Sequence, residues 1–217
     1  MIVATLLHAT DPLAPDETVA DALVEMAESH LSHLPIVSAA RGLDGVVAES
    51  ALRAWPDPEA LLASLPLPAP VTVAPDTHVF DAAHLLRQHD LTMLPVVGAD
   101  GHYEGLVVRG DVFAQLAHML ATEEPGAIVV LDVARRDFSL GQLAHLIEQN
   151  GVRILSVSTE DDPGAGRVRV TLKLNVSDTA RVRHLMEHHG YPVAGVFDEA
   201  DDDLQERAEA FLRYLDV

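Results

Sequence analysis

The sequence predicts an α/β (α+β) chain. Two tandem copies of a strand–helix–strand–strand–helix unit come first, then a β-α-β-β-α-β domain, then a C-terminal helix. Three observations carry this reading. First, the chain repeats itself at an offset of sixty. Pro15, Asp16, Val19, Asp21, Ala22, Leu31, Leu34, Pro35, Val37, Ala39, Gly45 and Val47 each meet the same residue sixty positions on. That is twelve identities in the 39 positions from Pro15 to Arg53, far above the roughly 6–8% that ordinary residue usage gives by chance. Second, each copy carries two short β-branched runs joined by turn residues, as in Leu94–Val97 and Gly105–Val108, which is a hairpin pattern. Third, the periodicity changes beyond Glu123-Glu124-Pro125-Gly126.

In the first repeat, residues 1–14 are apolar and then turn-like. Thr18 is the expected N-cap of a helix, with Asp21 three residues on as its capping-box partner. Val19, Ala22, Leu23 and Met26 recur at helical spacing and form its apolar face. Strands are expected at Leu31–Val37 and Gly45–Ala48, then a short helix near Ser50–Ala54. Trp55-Pro56-Asp57-Pro58 and Leu65-Pro66-Leu67-Pro68-Ala69-Pro70 read as an extended connector, because proline lacks an N–H and fixes φ. Glu59–Leu65 between them makes one or two helical turns. The second repeat restates the first, with a strand at Val71–Val73, a helix at Val79–His89, strands at Met93–Val97 and Gly105–Val108, and a helix at Asp111–Leu120.

Beyond the boundary come a strand at Ala127–Val133, a helix at Ser139–Gln149 and a strand at Arg153–Thr159. A turn, Glu160–Gly166, leads to a strand at Arg167–Leu174, a helix at Asp178–His189 and a strand at Val193–Phe197. That order is the ferredoxin-like split unit. An acidic run, Asp198–Asp203, precedes an amphipathic helix, Leu204–Leu215, whose apolar face is Leu204, Ala208, Phe211, Leu212 and Leu215. The expected domains are therefore 1–122 for the pair (repeats about 1–54 and 70–120), 127–198 for the ferredoxin-like unit, and 199–217 for the acidic turn and last helix.

Composition narrows function. The formal charge is −20, and Lys173 is the one lysine beside thirteen arginines. Phosphate-backbone binding needs a basic surface, so nucleic acid is not an expected partner. No apolar run approaches the ~18 residues of a membrane span. Cysteine is absent, which removes disulfides, thiolate chemistry and Cys-based zinc sites. The start, MIVATLLHATDPLAPDE, has no basic n-region, so a cytoplasmic location is expected. No nucleophile–base–orienter set and no Gly-rich loop before a helix is present, so an enzyme is not expected and no cofactor is implied. His184 and His188, four apart on one helix, have metal-ligand spacing but no fixed third ligand, so a solvated histidine-rich helix is the plainer reading.

Several features sit in register in both repeats. They are Pro-Asp-x-x-Val-x-Asp-Ala at Pro15–Ala22 and Pro75–Ala82, Leu-Pro-Ile/Val-Val at 34–37 and 94–97, and Gly45 and Gly105 before apolar runs. On these, residues 1–120 resemble a tandem pair of CBS domains. Ala127–Phe197, with Asn150–Val157 as its best match, looks like an ACT domain. The combination is similar to regulatory proteins of the acetoin-utilisation type. The resemblance implies a non-catalytic, ligand-sensing homodimer that reports an adenosine-type nucleotide, such as AMP, to an unidentified regulated protein. The alternative is a ligand-free dimeric scaffold. The family's ribose and phosphate motif is Gly-apolar-apolar-Thr/Ser-x-x-Asp. In the second repeat it matches Gly105–Asp111, with Asp111 kept and Val108 at the hydroxyl position. In the first repeat both polar positions are lost, at Ala48 and Ala51. The resemblance thus implies one nucleotide site. Asp111 would hold the ribose, Arg109 would stand in at the phosphate that Val108 cannot bond, and Thr72, Met93, Leu94 and Pro95 would flank the adenine. A helix N-cap is the competing role for Asp111. The ACT-like Pro-Gly that lets an amino acid approach the backbone falls on Asp137-Phe138, so glycine's access is lost there.

Overall fold

The structure, a computed structural model, describes residues 1–8 and 11–197; the acidic run and the helix expected at Leu204–Leu215 lie outside the described residues. The chain divides into two compact units, Met1–Leu116 and Ala117–Val217.

The first unit holds both repeats. Repeat one runs α1 (Val19–Ser29), β1 (His33–Val37), β2 (Leu43–Ala48) and α2 (Glu49–Arg53). Repeat two runs α3 (Val79–Gln88), β3 (Met93–Val97), β4 (Tyr103–Val108) and α4 (Arg109–Met119). The expected capping box opens α1. The Thr18 hydroxyl accepts from Asp21 N–H at 3.1 Å and the Asp21 carboxylate accepts from Thr18 N–H at 3.1 Å. Each hairpin is antiparallel in the same register, His33 opposite Ala48 and Met93 opposite Val108, with a bulge after Ile36 and after Val96. A lead-in residue pairs in parallel with each, Leu13 with Ile36 and Val73 with Val96.

Alternation along the strands divides their side chains between two faces. Leu34, Ile36 and Val47 pack with Val19, Ala22, Met26 and Leu52 as one core. Leu94, Val96 and Val107 pack with Val79, Ala82, Leu86 and Val112 as the other. Met93 and Leu106 point to the opposite face and are also fully buried. That face is covered where the two repeats meet. At one end His33 Nδ1 lies 2.9 Å from the Thr92 hydroxyl. At the other, Tyr103 N–H donates to Arg41 C=O at 2.8 Å and Gly42 bridges His102.

Each repeat's core is completed by the segment that leads into the other. Val3, in a 3-10 turn over Val3–Leu6, is fully buried in the core of repeat two. Its N–H donates to Thr77 C=O, and Ala4 N–H donates to Pro75 C=O, both at 2.9 Å. Leu62, in a 3-10 turn over Leu62–Ser64, fills the core of repeat one. Leu62 N–H donates to Glu17 C=O and Ala63 N–H to Pro15 C=O, again at 2.9 Å. The proline-rich stretch is therefore more than a connector. Residues 1–14, apolar and then turn-like in sequence, supply two core residues, Val3 and Leu13, and an edge pairing, His8 with Leu106.

The second unit runs β5 (Ala127–Ala134), α5 (Leu140–Gln149), β6 (Ile154–Asp162), β7 (Arg167–Leu174), α6 (Thr179–His188) and β8 (Val193–Phe197). Its sheet order is β6-β7-β5-β8 with every neighbour antiparallel, which is the ferredoxin-like arrangement. Val129, Leu131, Val133, Val168, Val170 and Leu172 of the sheet pack with Leu143, Ile147, Val182 and Met186 of the helices. β6 runs three residues further than its sequence pattern suggests, because Asp161 and Asp162 still pair with Val168 and Arg167.

Candidate functional site

In repeat two, β4 passes directly into α4, and Arg109 is already helical. Asp111 is therefore the third residue of the helix and not its N-cap. Its side chain lines an open cleft of about 400 Å³ together with Thr5, Leu6, Leu7, Ala114 and Gln115. The wall formed by Thr5–Leu7 comes from the N-terminal segment, brought there by its exchange into repeat two. Gly105 makes room for it. Gly105 has φ of +151°, and a Cβ there would sit 3.2 Å from Leu7 Cδ2. The same device recurs in repeat one, where a Cβ on Gly45 would meet Leu67 Cδ1 at 2.7 Å.

Gln115 lies four residues beyond Asp111, hence on the same helix face. Its Nε2 is buried and has no hydrogen-bond partner. A buried donor left unpaired costs about 1–3 kcal/mol, and here it belongs to a side chain that lines the cleft beside Asp111. Sequence reasoning did not find Gln115 or Thr5–Leu7. The signal for Gln115 was its i+4 spacing from Asp111, usable once the helix start is known. At the equivalent positions of repeat one stand Ala51 and Trp55, and α2 ends at Arg53. That side offers neither polar group.

The other expected site residues are distributed differently. Arg109 is about 200° around the helix from Asp111 at ~100° per residue. Its Nε donates to Leu91 C=O at 2.8 Å and its terminal nitrogen lies 3.2 Å from Asp90 Oδ1. It lines a separate concavity of about 240 Å³ with Ala83, Leu86, Val112, Phe113 and Leu116. Val108 pairs with Met93 in the hairpin. The side chains of Met93 and Leu94 are wholly buried. Pro95 C=O accepts from Val73 N–H at 3.0 Å, and Thr72 is exposed. Of the seven expected residues, Asp111 is the one that lines the cleft.

His33 sits where the repeats join. Burial, and then the charge of Arg109, hold its pKa below the usual histidine value, with Asp90 opposing them. In the second unit the rings of His184 and His188 stack with centroids 6.2 Å apart. No group of three His, Cys, Asp or Glu among the described residues is arranged to hold a metal ion. Phe138, where the ACT resemblance would place a glycine, packs against the core of the second unit. No helix among the described residues is long and apolar enough to cross a membrane.

Residues 12–56 and 62–118 match the CBS domain family model. An inosine-5'-monophosphate dehydrogenase of Korarchaeum cryptofilum is 25% identical over 146 residues, covering 67% of this chain and 30% of that protein. The chain spans about 30% of the length of the first curated relatives it matches. Among solved structures, protein MJ1004 of Mathanocaldococcus jannaschii is 25% identical with a TM-score of 0.51, covering 58% of this chain and 62% of that one. CBSX2 in complex with AMP is 26% identical with a TM-score of 0.48, covering 54% of this chain and 96% of that one.

Proposed function

We propose that this chain, whose residues 12–56 and 62–118 match the CBS domain model, is a non-catalytic, cytoplasmic regulator that senses an adenosine-type nucleotide beside Asp111. The observation that carries this reading is the Asp111–Gln115 pair in one cleft. The carboxylate accepts hydrogen bonds from the two ribose hydroxyls, a charge-assisted contact. The Gln115 amide donates to an acceptor on the same ligand and so makes the bond it lacks in the free protein. Repeat one, with Ala51 and Trp55, leaves ribose hydroxyls unpaired, so one nucleotide binds per chain. Val108 supplies no hydroxyl to a phosphate and Arg109 is committed to Leu91 and Asp90. Against a formal charge of −20, that favours AMP over ADP and ATP.

The second unit fits an ACT-like role on its strand order, serving assembly or a small effector, as in regulators of the acetoin-utilisation type. The whole chain works as a homodimer that reports to a partner protein. One observation favours a second reading, a ligand-free scaffold: Arg109, the cation expected at the phosphate, lies on the far side of α4 from Asp111. Calorimetry of the full chain with AMP, ADP and ATP separates the two. The nucleotide reading expects AMP to bind best, and saturation by none of the three at millimolar concentration leaves the scaffold.

A further inference from the structure

Two buried side-chain polar atoms among the described residues have no hydrogen-bond partner, and each belongs to a residue lining a concavity. Gln115 Nε2 belongs to the Asp111 cleft. The other is the hydroxyl of Tyr103. Tyr103 opens β4, whereas Asp111 lies beyond its far end; five steps of strand at ~3.3 Å each separate the two ends by about 17 Å.

Tyr103 is 7% exposed and lines an open concavity of about 680 Å³, within the usual size range of small-molecule sites. Most of its surface is apolar, from Pro12, Ala14, Pro15 and Val37, and its charged groups are Asp16, Arg41 and Glu104. Arg41 is locked at the tip of the first hairpin. Its φ is +63°, its carbonyl accepts from Tyr103 N–H at 2.8 Å, and one terminal nitrogen donates to Tyr103 C=O at 3.1 Å. The remaining guanidinium donors have no such bond to the described residues. Burial pushes the Tyr103 pKa up to about 12, so the phenol stays a neutral donor throughout the physiological range.

The charges decide the ligand class. A simple anion meets Arg41 and the phenol but also Asp16 and Glu104. A simple cation meets the two carboxylates and leaves the phenol and Arg41 unused. A molecule carrying both signs satisfies both. We infer that this concavity is a second small-molecule site, taking a zwitterionic α-amino acid, its carboxylate on Arg41 and the Tyr103 hydroxyl, its ammonium group on Asp16 and Glu104, its side chain on the proline-lined wall.

The test is calorimetry of the full chain against the free proteinogenic amino acids, with Tyr103→Phe and Asp111→Ala as variants. At least one amino acid should bind the wild type. Tyr103→Phe should weaken it roughly 3- to 10-fold, the effect of one hydrogen bond. The ligand-free Tyr103→Phe protein should be at least as stable to heat as wild type, because the change removes only a buried hydroxyl that has no partner. Asp111→Ala should leave amino-acid binding unchanged while abolishing any nucleotide response, so the two sites fail separately. Binding by no amino acid at millimolar concentration overturns the inference. So does equal binding by Tyr103→Phe, which would put the amino-acid site elsewhere.

Discussion

Leu62→Ala tests the exchange of lead-in segments on which the site's geometry depends. Leu62 is fully buried among Leu13, Val19, Leu34 and Leu52. Truncation to alanine removes three buried carbons, a transfer loss of about 2.4 kcal/mol at ~0.8 kcal/mol each. A cavity term adds to this, because the backbone on either side is tied by Leu62 N–H to Glu17 and Ala63 N–H to Pro15 and cannot close the gap. The expected loss is roughly 3–4 kcal/mol, within the range for buried leucines. Trp55 is the chain's one tryptophan and lies just beyond α2 in the first unit, so its fluorescence in a urea titration reports that unit directly. Leu61→Ala is the control, since Leu61 is 48% exposed and should cost under about 0.5 kcal/mol. If Leu62→Ala falls within 1 kcal/mol of that control, the linker does not complete the core of repeat one and the exchanged architecture is wrong.

Gly126→Ala should destabilise the second unit by about 1–3 kcal/mol, because φ is +149° and the new Cβ would fall 2.0 Å from Leu174 O; an unchanged melting temperature refutes this. His33 has a folded pKa below its ordinary 6.5, so the unfolded chain takes up its proton first as pH falls. Stability should therefore be unaffected by His33 above that value and decline with acidification below it, and His33→Gln should flatten that part of a urea-midpoint-against-pH curve. A slope identical in the two proteins contradicts the burial of the ring. Light scattering at micromolar concentration should give the mass of a dimer, and a monomer mass removes the homodimer from the proposal.

The two hairpins and four helices of the pair were legible because their core positions recur without a gap at sixty. The lead-in exchange was not, for a specific reason. Val3-Ala4-Thr5-Leu6 and Leu62-Ala63-Ser64-Leu65 correspond at an offset of fifty-nine, one residue out of the register that aligns everything after them. Leu7 and Leu67 return to sixty, so the slip lies between, in a turn whose spacing no side-chain period records. The same limit hid half the site. Arg109 and Asp111 stand two apart in sequence, which suggests that they cooperate across one ligand. A helix that starts two residues earlier turns them to opposite sides of α4 and pairs Asp111 with Gln115 instead. Asp111 itself was legible because it survives at a fixed spacing from Gly105. The glycine was legible too, although its reason, Leu7 packed over its Cα, is visible only in three dimensions.

The most direct measurement of the nucleotide account is a binding cycle with two ligands and two proteins. AMP and its 2′,3′-dideoxy analogue are each titrated into wild type and into Asp111→Ala. If the Asp111 carboxylate holds the ribose hydroxyls, wild type should prefer AMP by about 10-fold or more, since hydrogen bonds to a charged group contribute ~1.5–3 kcal/mol each. Asp111→Ala should bind the two ligands equally and no better than wild type binds the analogue. A variant that keeps its preference for AMP, or a wild type that shows none, contradicts the account.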